Sequence, residues 1–281
     1  MKRCTPVILD GRAFAAQRAP QLAARGAVVT AQRGRAPLLL IVAFGDPAGY
    51  APHVRGKVRS CAGCGVDCEL VVLPPGTGTA EAVHRMRAAI DAVHPDGVFV
   101  QFPFPADIDG DALAVEIPVA CDVDIMTPVR EQQFLLGDGL PPVTVSAALL
   151  LLDEQDIDIA GRHGIVVADA SPFADMFRAA LERRGALLAP LVDPSADGLP
   201  ARAAAAELVV AAAGSPGMLS SRLLRPGCVA IDVGYFNPGG RGDIDTSAGI
   251  AQLAALMPVP GGIGPMTVSA LVERVIDFAG G

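Results

Sequence analysis

The chain has no tryptophan and two tyrosines, and aromatic residues fill 4% of its 281 positions. Its core must therefore be packed from Ala, Val, Leu and Ile, which the 51% apolar content can supply. No apolar run approaches the ~20 residues a membrane-spanning helix needs. Residues 1–6 lead into a short strand and Asp10, not into the apolar centre of a signal peptide. A cytoplasmic protein without a membrane partner is expected. The net charge of −8 argues against nucleic acid as a partner. The six cysteines are expected to be thiols in a reducing compartment. Cys61, Cys64 and Cys68 lack a fourth ligand at metal-site spacing, so no metal is expected. Lysine is scarcest of all. Of 22 basic residues only Lys2 and Lys57 are lysine, which leaves 20 arginines.

Where arginine serves as the general surface cation, an interior lysine suggests a task guanidinium cannot perform. Lysine can lose its proton when desolvated; arginine cannot. The alternative is a surface lysine that carries no task. His53 lies four residues before Lys57, on the same face of an expected helix.

The remaining pattern is α/β. Residues 11–33 read as a helix broken by Pro20. Strands are expected at 38–42, 68–73 and 97–101, with helices at 51–62 and 79–93 between them. This alternation predicts a parallel sheet, with ligands beyond the carboxyl ends of its strands, where Gln101 falls. The prolines at 141–142 mark a domain junction, and residues 144–154 a connecting helix. Four short apolar strands follow at 164–168, 186–188, 207–211 and 228–232, forming a second doubly wound unit. Near the end, Pro258-Val259-Pro260-Gly261-Gly262-Ile263-Gly264-Pro265-Met266-Thr267 holds three glycines and three prolines. The glycines are expected to take positive φ and press against a flat ligand, with Thr267 capping a helix over 267–279.

That loop resembles a hallmark of the bifunctional methylenetetrahydrofolate dehydrogenase/methenyltetrahydrofolate cyclohydrolases, the FolD family. Val7-Ile8-Leu9-Asp10-Gly11 is similar to the family's opening. Val100-Gln101-Phe102-Pro103-Phe104-Pro105 is similar to its Val-Gln-Leu-Pro-Leu-Pro, and Asp122-Val123-Asp124 to its Asp-Val-Asp. The resemblance implies an N-terminal parallel α/β folate domain, a Rossmann-like second domain, and a C-terminal helix returning to the first. It places the folate domain at 1–142 plus 266–281 and the cofactor domain at 143–265. It implies a tetrahydrofolate derivative as substrate, bound in a cleft between the domains. Lys57 and Gln101 would act as acid and base, and Asp124 would hold the pterin. Pro260, Gly261, Gly262, Ile263, Gly264 and Pro265 would line the substrate. A homodimer is expected by the same resemblance.

The chain also departs from the family. His53 stands where the family has tyrosine and joins Lys57 and Gln101 as a candidate catalytic residue. Ile125 replaces the glycine after Asp-Val-Asp, and Val143-Thr144-Val145 replaces Cys-Thr-Pro. In the second domain the phosphate-binding Gly-Arg-Ser-x-x-Val-Gly-x-Pro becomes residues 168–176, beginning Ala168-Asp169 and containing no glycine. A carboxylate there repels pyrophosphate. Asp193 could hold a ribose hydroxyl instead, and Gly214, Asp232 and Gly234 are the remaining candidate NAD(P) contacts. The leading expectation is a folate one-carbon enzyme with NADP binding weakened or lost. Alternatives are an ordinary bifunctional enzyme with an NAD-preferring pocket, or a non-catalytic folate-binding or regulatory subunit.

Overall fold

The computed structural model describes residues 5–45, 47–234 and 240–281, and the side chains of residues 47–53 also lie outside the description. The chain forms two compact units. One comprises residues 1–15 with 144–267, the other residues 16–143 with 268–281.

The chain opens with β1 (Val7–Ile8) and α1 (Gly11–Arg33). Asp10 precedes the helix, and its Oδ1 accepts the free amides of Arg12 and Ala13. The helix was expected to break at Pro20, but it continues through it. Pro20 is exposed, while Leu22 is buried. Arg18 and Arg25 donate on either side to Glu273, at 2.5 and 2.7 Å, and Arg25 also pairs with Asp277. Tertiary contacts thus hold the turn that proline weakens.

The unit containing residues 16–143 is built on a parallel sheet in the order β3–β2–β4. Here β2 is Leu38–Phe44 and α2 is Pro47–Gly63; β3 (Asp67–Leu73), α3 (Thr79–Val93) and β4 (Gly97–Val100) follow. Central β2 is apolar throughout, as a strand covered on both faces must be. Helix α3 buries Ala82, Met86 and Ile90, one residue per turn, onto a core with Leu40, Val42, Leu73 and Val98. Shorter helices follow: α4 (Gly110–Ala114), capped by Asp109, and α5 (Pro128–Leu135), capped by Thr127. Then comes α6 (Val143–Glu154).

The other unit continues through β5 (His163–Val167), α7 (Pro172–Arg183), β6 (Leu187–Leu188), α8 (Leu199–Ala205), β7 (Leu208–Ala211), β8 (Leu219–Ser220), β9 (Val229–Asp232), β10 (Ile244–Asp245), β11 (Ala255–Met257) and the start of α9 (Ile263–Gly280). Six strands make one sheet in the order β1–β11–β9–β7–β5–β6, all parallel, and β8 pairs with β10. The sequence foresaw four of the six. It missed β11, and it placed the first residues with the folate unit. Instead Val7 and Ile8 pair with Ala255 and Leu256 and join the second sheet. Residues 268–281 do group with the first unit, as expected of a returning helix. That helix starts four residues earlier than expected. Thr267 Oγ1 donates to the Ile263 carbonyl at 3.0 Å, so it lies inside the helix rather than capping it.

Because Pro20 removes one helix hydrogen bond on an exposed face, Pro20→Ala is expected to raise stability by about 1–2 kcal/mol, read from urea unfolding. An unchanged or lowered midpoint would contradict this account of α1.

Candidate active site

Lys57 lies on α2 and is 7% exposed, although it is the only lysine in the chain's interior. Its Nζ donates to Gln101 Oε1 at 2.8 Å and sits 4.7 Å from the centre of the Phe99 ring. Gln101 follows β4, and its amide N–H is fixed to the Val42 carbonyl of central β2 at 2.8 Å. The Gln101 side-chain Nε2 donates to the Phe102 carbonyl at 2.5 Å, which turns the oxygen toward Lys57. Burial pushes the Lys57 ammonium down to about 8, against the opposing pull of Asp124 and Cys61. A lysine so placed exchanges its proton near neutrality, which an exposed lysine does not. Cys61, one turn further along α2, is fully buried beside it. His53 belongs to the same helix, but its side chain is outside the described residues.

Asp124 is the third member of this group. It is partly buried, and its carboxyl stands raised to about 6, because desolvation outweighs the opposing pull of the Val143 N–H, Arg274 and Lys57. Val143 N donates to its Oδ1 at 3.0 Å. Asp122, two residues earlier, is fully buried and serves the backbone. It accepts from Met126 N, Thr127 N and Thr127 Oγ1 at 2.7–2.9 Å. Between the two Asp-anchored positions, Ile125 takes φ +58°. Left-handed backbone is strained for a β-branched side chain. Phe102 is 50% exposed beside Gln101 and stacks on Phe104 with ring centres 4.1 Å apart.

The glycine loop belongs to the other unit, and its glycines differ in role. Of Gly261, Gly262 and Gly264, only Gly261 has positive φ, +104°. A Cβ on Gly262 would meet the Pro258 carbonyl oxygen at 2.5 Å, and one on Gly11 would meet the Gly262 oxygen at 1.8 Å. The close approach the sequence suggested is therefore chain against chain at these positions. Gly264 has open space where a side chain would be. Ile263, Gly264 and Pro265 form the first turn of α9, where proline's missing N–H breaks no helix bond.

In the Rossmann-like unit, Ala168 follows β5 and Asp169 is exposed at the turn into α7. No residue from 168 to 175 has positive φ. Ser171 Oγ already accepts the Ala174 amide at 3.3 Å, and Pro172 has no N–H. Asp193 is exposed, and its Oδ1 accepts from the backbone and hydroxyl of Ser195 at 2.7 and 2.5 Å. Asp232, expected near a cofactor, has both oxygens occupied within the unit. It accepts from Gly234 N, Asp243 N and Ile244 N at 2.9–3.1 Å. Burial pushes its carboxyl up to about 7. Gly234 is required sterically, since a Cβ there would meet the Asp243 carboxylate at 2.1 Å.

Two residues of consequence escaped the sequence reading. Asp243 is buried, and its Oδ2 accepts from Ala213 N and from Gly214 N, whose φ is +63°. A carboxylate between Gly242 and the apolar Ile244 was the available signal. Arg274 is buried on the apolar face of α9 among Leu271, Val275 and Ile276. Its signal was a charge at a core-facing helix position.

A buried lysine–amide pair beyond one parallel sheet, together with a separate Rossmann-like sheet, defines a two-unit α/β protein of the dinucleotide-binding architecture. Residues 9–124 match the family model for the tetrahydrofolate dehydrogenase/cyclohydrolase catalytic domain, and residues 142–280 match the NAD(P)-binding domain of the same family. The chain belongs to the tetrahydrofolate dehydrogenase/cyclohydrolase family. It is 33% identical over 276 residues to bifunctional protein FolD 1 of Streptomyces avermitilis, covering 98% of this chain and 96% of that one. It is 34% identical over 272 residues to bifunctional protein FolD of a Synechococcus species, covering 95% and 93%. The crystal structure of the Trypanosoma brucei methylenetetrahydrofolate dehydrogenase-cyclohydrolase, complexed with NADP cofactor and inhibitor, matches with a TM-score of 0.90. It is 27% identical and covers 98% of each chain. Among the described residues, no helix is long and apolar enough to cross a membrane.

Holding Lys57 charged inside the fold costs desolvation free energy that the unfolded chain does not bear. Between pH 8 and 10.5 the unfolded chain binds the extra proton, so stability should rise with pH across that window, by about 3 kcal/mol in total. Lys57→Met should remove this rise, measured by urea unfolding at several pH values. An identical slope in the variant would mean that Lys57 is solvated.

Proposed function

We propose that this chain acts on 5,10-methylene- or 5,10-methenyltetrahydrofolate, with Lys57 and Gln101 as the acid/base pair at the bridging carbon and Asp124 holding the pterin. The observation that carries this reading is the buried Lys57 Nζ on Gln101 Oε1, with a pKa near 8. Its relatives are bifunctional FolD proteins. In the hydrolytic direction, neutral Lys57 keeps one N–H on Gln101 and turns its lone pair to water. Water oxygen bonds to the methenyl carbon as Nζ takes one water proton. The bond from that carbon to N5 then breaks and leaves its electrons on nitrogen, which collects the remaining hydroxyl proton. The products are 10-formyltetrahydrofolate and one released proton, initially held by Lys57. Asp124 provides carboxylate acceptors for ring N–H groups, a pairing that a deletion would leave unmet at a cost of about 1–3 kcal/mol.

In the same reading, dinucleotide binding is weakened. A pyrophosphate at the start of α7 needs close backbone approach and free amides. Residues 168–175 supply neither a glycine nor a left-handed turn, Ser171 and Pro172 remove donors, and Asp169 and Asp175 bring negative charge. These residues do not fit the group, and the hydrolysis assigned to Lys57 and Gln101 runs without it. One observation favours the second reading, an NAD-preferring bifunctional enzyme: Asp193 is exposed after β6, where a ribose 2′-hydroxyl could meet its Oδ2.

Two measurements decide. Lys57→Arg keeps the charge but cannot release a proton. Turnover of methenyltetrahydrofolate is expected to fall by roughly 10²–10⁴ while folate affinity stays within a few-fold; near-normal turnover would remove Lys57 from the chemistry. Calorimetry with NAD and NADP should give dissociation constants weaker than about 1 mM, and Asp169→Arg should tighten NADP by about tenfold. Tight NAD binding by the unaltered chain would establish the second reading.

A further inference from the structure

Arg274 occupies a position on α9 whose neighbours Leu271, Val272, Val275 and Ile276 are all buried, and it is 6% exposed itself. A guanidinium in such a place loses hydration and must find compensating partners. Its Nη1 donates to the Val123 carbonyl at 3.0 Å and to the Pro141 carbonyl at 2.7 Å. Val123 immediately precedes Asp124. Pro141 lies two residues before Val143, whose amide donates to Asp124 Oδ1. One nitrogen therefore ties together the two segments that present Asp124. Between them stands Ile125 in its left-handed conformation, a backbone state that persists only when its surroundings fix it.

We propose that Arg274 is a positioning residue for Asp124, clamping the 123–125 turn to the 141–143 segment and keeping the Asp124 carboxylate charged. This rests on the reading of Asp124 as the group that holds the pterin. The charged groups acting on Asp124 are Lys57 from α2, Arg274 from α9 and Asp122 from its own turn, with the Val143 N–H from α6. Desolvation and Asp122 raise the carboxyl and the two cations oppose them, leaving it at about 6. Without Arg274 one opposing cation remains, and protonation of Asp124 moves toward neutral pH.

The test is the pH dependence of kcat/KM for methenyltetrahydrofolate hydrolysis by the full chain, with thermal unfolding measured alongside. Its acid side falls first as Lys57 is protonated near 8 and again as Asp124 is protonated near 6, and the limb followed here is this lower one. Arg274→Gln keeps a side-chain N–H for the carbonyls but loses the charge. It is expected to move the acid limb up by about one pH unit and to raise KM at pH 7 several-fold with kcat little changed. Arg274→Lys is expected to restore the limb. A folded Arg274→Gln variant with the limb and KM of the unaltered enzyme would overturn the proposal. If that variant does not fold, Arg274→Lys carries the test, and an upward-shifted limb there despite a retained side-chain amine would overturn it. Asp124→Asn separates the two inferences. If it keeps normal KM and limb, the pterin assignment fails and the Arg274 proposal with it. If it loses affinity while Arg274→Gln changes nothing, only the Arg274 proposal fails.

Discussion

The first unit is organised around one ammonium taken out of water. Lys57 is held on α2 against Phe99 and Gln101, at the carboxyl end of β4. That location is available because β3, β2 and β4 are parallel and β4 ends at Val100, level with Val42 of β2, so that a residue just past β4 faces a helix packed on the same sheet. Burial lowers the amine's pKa to about 8, and the same burial opposes folding. Gln101 and Asp124 offset that cost with a hydrogen bond and an opposite charge. An apolar residue at 57 would pack with less penalty, so Lys57 is a cost to folding and not a source of stability.

The second unit handles buried charge differently. Asp232 and Asp243 are also deeply buried, yet both Asp232 oxygens and Asp243 Oδ2 accept backbone amides from the chain ends around β7, β9 and β10. Gly234 and Gly242 are small because these carboxylates crowd them; an added Cβ on Gly242 would lie 2.0 Å from Asp232 Oδ2. These acids hold loops in place. Their glycine neighbours mimic, in sequence, the glycines of a ligand-binding turn.

That mimicry explains what could be read from sequence and what could not. The long elements were legible because their periodicity is strong: β2 is uniformly apolar, and α3 buries every fourth residue. Lys57 and Gln101 were legible from a composition bias and a strand end. β1 was not placed correctly because two residues carry no period, and its partner β11 lies almost 250 residues away. Pro20 was misread because a local propensity lost to Glu273, a residue on another helix. The 258–267 loop was half legible: its rigidity was evident, but which glycines serve the chain and which leave room for a ligand depends on contacts with Gly11 and Pro258. Arg274 was invisible as a partner of Asp124, because the two lie on elements far apart in the chain.

The departures from the family's sequence pattern are not equivalent once each is set in its backbone. At 125 the backbone is left-handed although the residue is isoleucine rather than the family pattern's glycine. Asp122 binds the amides at 126 and 127 on one side, and Arg274 holds the carbonyl of 123 on the other. The strain is carried by neighbours, and the position of Asp124 is kept. At 168–176 no such compensation exists. The residues that replace the glycine loop follow ordinary backbone into a helix capped by its own serine, with two exposed carboxylates at its start. The 122–127 turn thus holds a strain that its neighbours support, and the 168–176 turn holds none.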